Sequence, residues 1–224
     1  MKQGLFIFCK MGLLVNEKIK ILAKIIIGLI LIQGIRIILK FIVFCFVEKT
    51  LFIDTIASAL IMTVLALIGI MTVKKKGVSL SVFPNRHKII YAIATVVALV
   101  LLISTPFITG EKSLFIVFSL IYSTLITPIF EELIFRGYVW NKLEEKFTRR
   151  LTVYIITTLL FAVWHIGYID SIALRVASNN VPFTMLMKII TGLCFGIVLG
   201  AIRCKTKNCY STILLHGAMN IFGR

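Results

Sequence analysis

Two adjacent carboxylates, Glu131 and Glu132, are followed by Arg136 at the end of an apolar run that starts near Ser113. Ionisable groups inside a membrane helix are costly to bury, so they are functional candidates. Glu132 and Arg136 are four apart, share a helix face and can form an ion pair. Glu131 points about 100° away and has no local partner. One carboxylate is therefore expected to be structural and the other free for chemistry.

Two more polar sets recur in the apolar C-terminal half. Phe161-Ala-Val-Trp-His165 places a histidine deep in one apolar run. His216-Gly-Ala-Met-Asn220 places a histidine and an asparagine on one face of another. His87, the third histidine, sits in a basic loop and reads as solvated. Phe161 and Trp164 read as packing residues. A carboxylate and an imidazole together can take a proton from water. A second imidazole and an amide N–H can donate to the oxyanion formed when that water attacks a peptide carbonyl. The same residue types also suit a metal shell. Glu131, His165 and His216 could hold a divalent ion such as zinc with one position open for water. Both arrangements stay open on residue types alone. The HExxH pattern of soluble zinc proteases is absent. No serine or cysteine has the setting of a nucleophile.

The elements that must position these groups are membrane spans. The 224-residue chain is 59% hydrophobic with a mean hydropathy of +1.03, against about 45–50% apolar in a soluble domain. Its apolar segments lack the alternation of barrel strands. The fold class is all-α, a polytopic transmembrane helical bundle of about seven to eight helices. Spans are expected over about 21–47, 51–73, 89–109, 113–135, 151–169, 183–202 and 209–222. Residues 1–20 are expected to lie along the membrane surface, with no cleaved leader. The 138–150 segment, with Tyr138 and Trp140, reads as interfacial. With the membrane edge set near Trp140, Glu131 and His216 lie roughly 13 Å deep, and His165 and Asn220 nearer 20 Å. An eighth or re-entrant helix would fall at the N-terminus or between Asp170 and Pro182.

The net charge of +16 comes from 25 Lys and Arg against 9 Asp and Glu. These cations cluster in loops between apolar runs, which argues for membrane topology and against nucleic acid. With the N-terminus inside, the inner segments carry 17 Lys and Arg and the outer ones 4 (Lys49, Lys112, Arg175, Arg224). The positive-inside rule then puts the N-terminus in the cytoplasm of a multi-pass cell-membrane protein. Within the first span, Lys24, Arg36 and Lys40 interrupt the apolar run, and the last two either snorkel or face the bundle. The five cysteines show no CxxC spacing. Cys204 and Cys209 make a poor zinc site, so all five read as free thiols.

The ordered trio Glu131-Glu132-Leu-Ile-Phe-Arg136, Phe161-Ala-Val-Trp-His165 and His216-Gly-Ala-Met-Asn220 resembles the CAAX prenyl endopeptidase type 2 family. The wider group is that of CAAX proteases and bacteriocin-processing enzymes, or the Abi family. The resemblance covers residues 113–222 and divides the chain in two. Residues 1–110 would supply transmembrane helices and basic loops, and 111–224 the catalytic helical core. It implies an intramembrane endopeptidase with a cavity open to the cytoplasm. Glu131 would activate water with His165, while His216 and Asn220 would shape the oxyanion site. Glu132, Arg136 and Phe161 would support them. The family has been described both as glutamate-dependent and as metalloproteases. A small, basic chain looks like a bacterial member, linked to bacteriocin immunity or peptide maturation. Its substrate would be a hydrophobic or membrane-tethered peptide in the lipid bilayer. Two other readings compete. One is a non-catalytic immunity or binding protein that retains the site. The other is a transporter or proton relay, against which the chain shows no repeat.

Overall fold

The computed structural model describes the backbone of residues 2–223 and the side chains of residues 16–223. The side chains of Lys2, Cys9 and Lys10, the surface placement expected of residues 1–15, and Arg224 lie outside the described residues. Among the described residues there are helices and short connections, with no strand.

Seven helical stretches follow one another. They are α1 (Lys2–Phe44), α2 (Leu51–Lys75), α3 (Lys88–Thr109), α4 (Leu114–Glu144), α5 (Arg150–Ala173), α6 (Ser178–Thr206) and α7 (Tyr210–Phe222). The first six are long and apolar enough to cross a membrane, α1 doing so over Asn16–Phe44. The seventh has 13 residues, about 20 Å of helix, short of a hydrocarbon core of about 30 Å. No separate helix stands between Asp170 and Pro182, where a short 3-10 turn, Ser178–Asn180, leads into α6.

Local chemistry sets the boundaries. Thr50 and Ser113 cap α2 and α4 by accepting from Ile53 N and Ile116 N, which satisfies otherwise orphaned amides. Gly110 takes a left-handed conformation (φ 75°) and stops α3. Successive spans alternate in direction. One end of the bundle therefore collects the lysine- and arginine-rich connections after α2, α4 and α6, and we call it the basic end.

The core lies between α2, α4 and α5, where Met62, Phe130, Phe135, Phe161, Trp164 and Tyr168 pack together. A second cluster, Ile25, Val139, Trp140, Leu143 and Val153, fills the basic end. Trp140 is thus not interfacial. It is 1% exposed, and the Arg203 guanidinium lies 5.7 Å from its ring centroid. Helix α4 continues two turns past the expected boundary because Val139, Trp140 and Leu143 are buried there. Arg136 and Arg203, expected in loops, are also inside the bundle. By contrast, only 6% of the spanning window of α3 is buried, which makes it the most loosely held span.

Candidate active site

The glutamates sit midway along α4 on a short α-helical stretch, Thr127–Glu132. Two π-helical segments, Tyr122–Ile126 and Leu133–Val139, bracket it. Such wide turns recur at functional sites. Arg136 Nη1 donates to Glu132 Oε1 at 3.0 Å, and both side chains are fully buried. This is the ion pair expected from their spacing. His216 reaches the same oxygen from α7, with Nδ1 2.9 Å away. Its Nε2 lies 3.9 Å from Glu131 Oε2. One imidazole thus bridges the two carboxylates. Gly217 allows this, because a Cβ there would sit 2.4 Å from the Thr124 carbonyl oxygen.

Glu131 is 1% exposed and takes neutral donors from α5. Tyr168 Oη donates to its Oε1 at 2.5 Å and Trp164 Nε1 at 3.3 Å. The direct partner implied for Glu131 was His165, and here the structure differs. At His165 the helix tightens into a 3-10 turn, His165–Tyr168, and the His165 amide turns to Ala162 O. The Phe161 carbonyl then accepts from His165 Nδ1 at 2.8 Å. Gly192 of α6 leaves room for this ring, since a Cβ would lie 2.6 Å from Nδ1. Asn220 donates to Ser123 O at 2.7 Å rather than to either glutamate.

His165 nevertheless lies at the level of Glu131, because Trp164 and Tyr168 on either side of it both bond that carboxylate. The expected depth mismatch came from ending α4 too early. Counted from the ends at Glu144 and Arg150, Glu131 and His165 both lie about 20 Å along their helices. Helix α7 starts inside the bundle, where Asn208 and Cys209 are buried. Its first amides are bonded to Ser81 O and Val82 O of the connection after α2.

Phe161 sits at the centre. The Arg136 guanidinium lies 4.2 Å from its ring centroid, and the His165 and His216 rings meet it edge-on at 4.9 and 5.9 Å. It fixes the relative placement of three polar groups.

Sequence reasoning missed Trp164 and Tyr168 as ligands of Glu131. The available signal was two aromatics with polar tips four apart on one face of α5. It also missed the contribution of α1. Gln33 Nε2 donates to Trp164 O at 2.9 Å, and Arg36 donates through Nη2 to Gly167 O. The Arg36 guanidinium also lies 4.5 Å from the Tyr168 ring centroid. Helix α1 therefore clamps the 3-10 turn whose tyrosine holds Glu131.

The donor set can be tested against a metal shell. With protons on Nδ1, His165 and His216 each keep an Nε2 lone pair, the usual metal-binding nitrogen. Yet no three His, Cys, Asp or Glu side chains among the described residues are gathered closely enough to hold an ion. As placed, Glu131, His165 and His216 do not make that shell. Cys209, the buried thiol nearest this region, donates to Leu80 O and is not paired with a base.

Comparison with known proteins agrees with the geometry. Residues 113–222 match the model of a family described as type II CAAX prenyl endopeptidase Rce1-like. No curated protein matches the chain, and no solved structure does. Through residues 113–222, the chain belongs to the Rce1-like type II CAAX prenyl endopeptidase family, a family of membrane proteases.

Proposed function

We propose that this protein is an intramembrane endopeptidase in which Glu131 activates water to cleave hydrophobic or membrane-tethered peptides. The observation that carries this reading is the setting of Glu131. It is a buried carboxylate held by two neutral donors and has no Lys or Arg at salt-bridge distance among the described residues. Such a group can accept a proton. Water gives one proton to Glu131, and its oxygen bonds to the scissile carbonyl carbon. The resulting oxyanion is met by an N–H of His216 or Asn220. The proton then passes to the departing amine as the C–N bond breaks. His165 assists the first transfer through its free Nε2. Should a zinc ion be used, it would supply the same activation of water. Helices α4–α7 would have to shift for the three candidate ligands to converge on it.

The site is closed, so a neighbouring helix must move to admit substrate. Weakly packed α3 is the candidate. It covers an apolar groove of about 440 Å³ whose wall includes Leu133 and Gly217, next in sequence to Glu132 and His216. On the expected topology the protein is a cell-membrane protein whose N-terminus and site opening face the cytoplasm. Bacteriocin immunity and peptide maturation are the roles that fit this substrate class.

One observation favours a second reading, a non-catalytic membrane immunity or binding protein. Glu131 and Asn220 are both satisfied by internal bonds, as a retained scaffold would have them. The deciding experiment is cleavage of quenched fluorescent peptides by purified protein in detergent. Wild type and Glu131→Gln are compared with and without a strong chelator. Activity that Glu131→Gln loses and chelation spares supports direct activation. Loss under both conditions supports a metal. Protection of cells by Glu131→Gln, with no cleavage by wild type, supports the binding protein.

A further inference from the structure

Helices α1 and α2 are pinned together at the end opposite the basic end, where Lys40 Nζ lies 2.6 Å from Asp54 Oδ1. Towards the basic end they leave a groove of about 610 Å³ over α4. Its walls are Leu29 and Ile32 of α1, Leu65 of α2, and Phe130, Leu133 and Ile134 of α4. Its mouth carries three lysines from three different helices or their ends: Lys24, Lys76 and Lys142. Lys142 pairs with Glu145 at 2.6 Å. Among the described residues, Lys24 and Lys76 have no salt-bridge partner.

Inside a bilayer an apolar groove of this size is filled by hydrocarbon, because water there would find no polar partners. Leu65 stands eleven residues before Lys76, so the groove runs about 16 Å along α2. That is about half of a hydrocarbon core of about 30 Å, the reach of one leaflet. Basic pockets between spans at one membrane face select anionic headgroups. We propose that this groove is a binding site for one anionic phospholipid, with an acyl chain against α4 and its phosphate at Lys24, Lys76 and Lys142. The site is independent of the proteolytic reading. It lies on the back of the turn that carries Glu131 and Glu132, so the bound chain supports that turn from outside.

The test uses the full chain in neutral detergent, titrated with dioleoylphosphatidylglycerol or dioleoylphosphatidylcholine. Native mass spectrometry counts retained lipid and thermal unfolding follows stability. The expected result is one phosphatidylglycerol retained per chain, a saturable rise in Tm, and at least tenfold preference over phosphatidylcholine. The Lys24→Gln, Lys76→Gln, Lys142→Gln triple variant should lose that preference to within twofold and keep its lipid-free Tm. Gly69→Phe is the complementary variant. Gly69 lines the groove and a Cβ there meets nothing within 4 Å, so the ring should displace both lipids while the lysines stay. Equal retention of both lipids by wild type would overturn the proposal. So would full preference in the triple variant, or a dimer that Gly69→Phe converts to monomer. If Gly69→Phe fails to fold, the triple variant decides.

Discussion

The bundle holds two buried ionic clusters, and they are built to opposite rules. Away from the basic end, Lys40 bridges Asp54 and Asp170 at 2.6 and 2.5 Å, and Arg175 reaches Asp54 at 3.4 Å. Lys40 also donates to Ser171 Oγ. Every carboxylate there meets a cation, and the cluster ties α1 and α2 to the end of α5. In the glutamate cluster, Arg136 serves Glu132 alone, and Glu131 is left with a phenol, an indole and a distant imidazole. A carboxylate matched by a strong cation is fixed in its ionised form and is a poor base. One held by neutral donors is not. The contrast separates a clasp from a site, although both are equally hidden from solvent.

Four experiments can break or sharpen that contrast. The largest effect should come from Glu131→Gln. It should lower peptide cleavage by about 10²–10⁴-fold, the usual contribution of a general base, with an unchanged Tm in detergent. A melted variant would mean that Glu131 is structural after all. Next, Lys40→Met strands two buried aspartates. Breaking such a pair costs about 3–5 kcal/mol, which denaturant unfolding should record, while activity per folded molecule stays near wild type. Arg136→Ala should cost a similar amount and remove activity as well, because it frees Glu132 and unseats His216. Normal melting of that variant would remove the ion pair from the argument.

Tyr168→Phe should act more weakly. It removes one donor to a charged acceptor, about 1.5–3 kcal/mol, and should lower kcat about tenfold with little change in KM. A pure stability loss with unchanged kcat would place Tyr168 with the clasp. The smallest effect belongs to Cys45→Ser with Cys194→Ser. Both thiols are exposed, so stability should move by no more than about 0.5 kcal/mol and activity should persist. Lost activity would reopen thiol chemistry.

Much of this was legible before any coordinates. The spacing of Glu132 and Arg136 carries its own partner, since four residues is one turn. The cations at 36 and 40 marked α1 as unusual, but their acids at 54 and 170 belong to other helices, and nothing local joins them. Trp164 and Tyr168 were hidden because an aromatic with a polar tip looks like packing until its tip finds a carboxylate. The length of α4 was obscured by Lys142 and Glu144, whose charges suggested an exit from the membrane while Trp140 and Leu143 were being buried. His165 and Asn220 were right in type and level, but a backbone carbonyl close by won each bond.

The wide turns of α4 have a consequence for how this helix tolerates change in length. Each π segment is one residue more than an α-helix would need over the same distance. Deleting a single residue within Leu133–Val139 would let the helix close to ordinary pitch and turn everything beyond by about 100°. Glu131 and Glu132 would stay where they are, while Trp140 and Leu143 swung out of the core. A single-residue insertion in the Thr127–Glu132 stretch would do the reverse and swing the carboxylates away from α5 and α7. The chain should therefore accept substitutions along α4 far more readily than any change in residue count, a pattern that a deletion scan of residues 122–139 would expose.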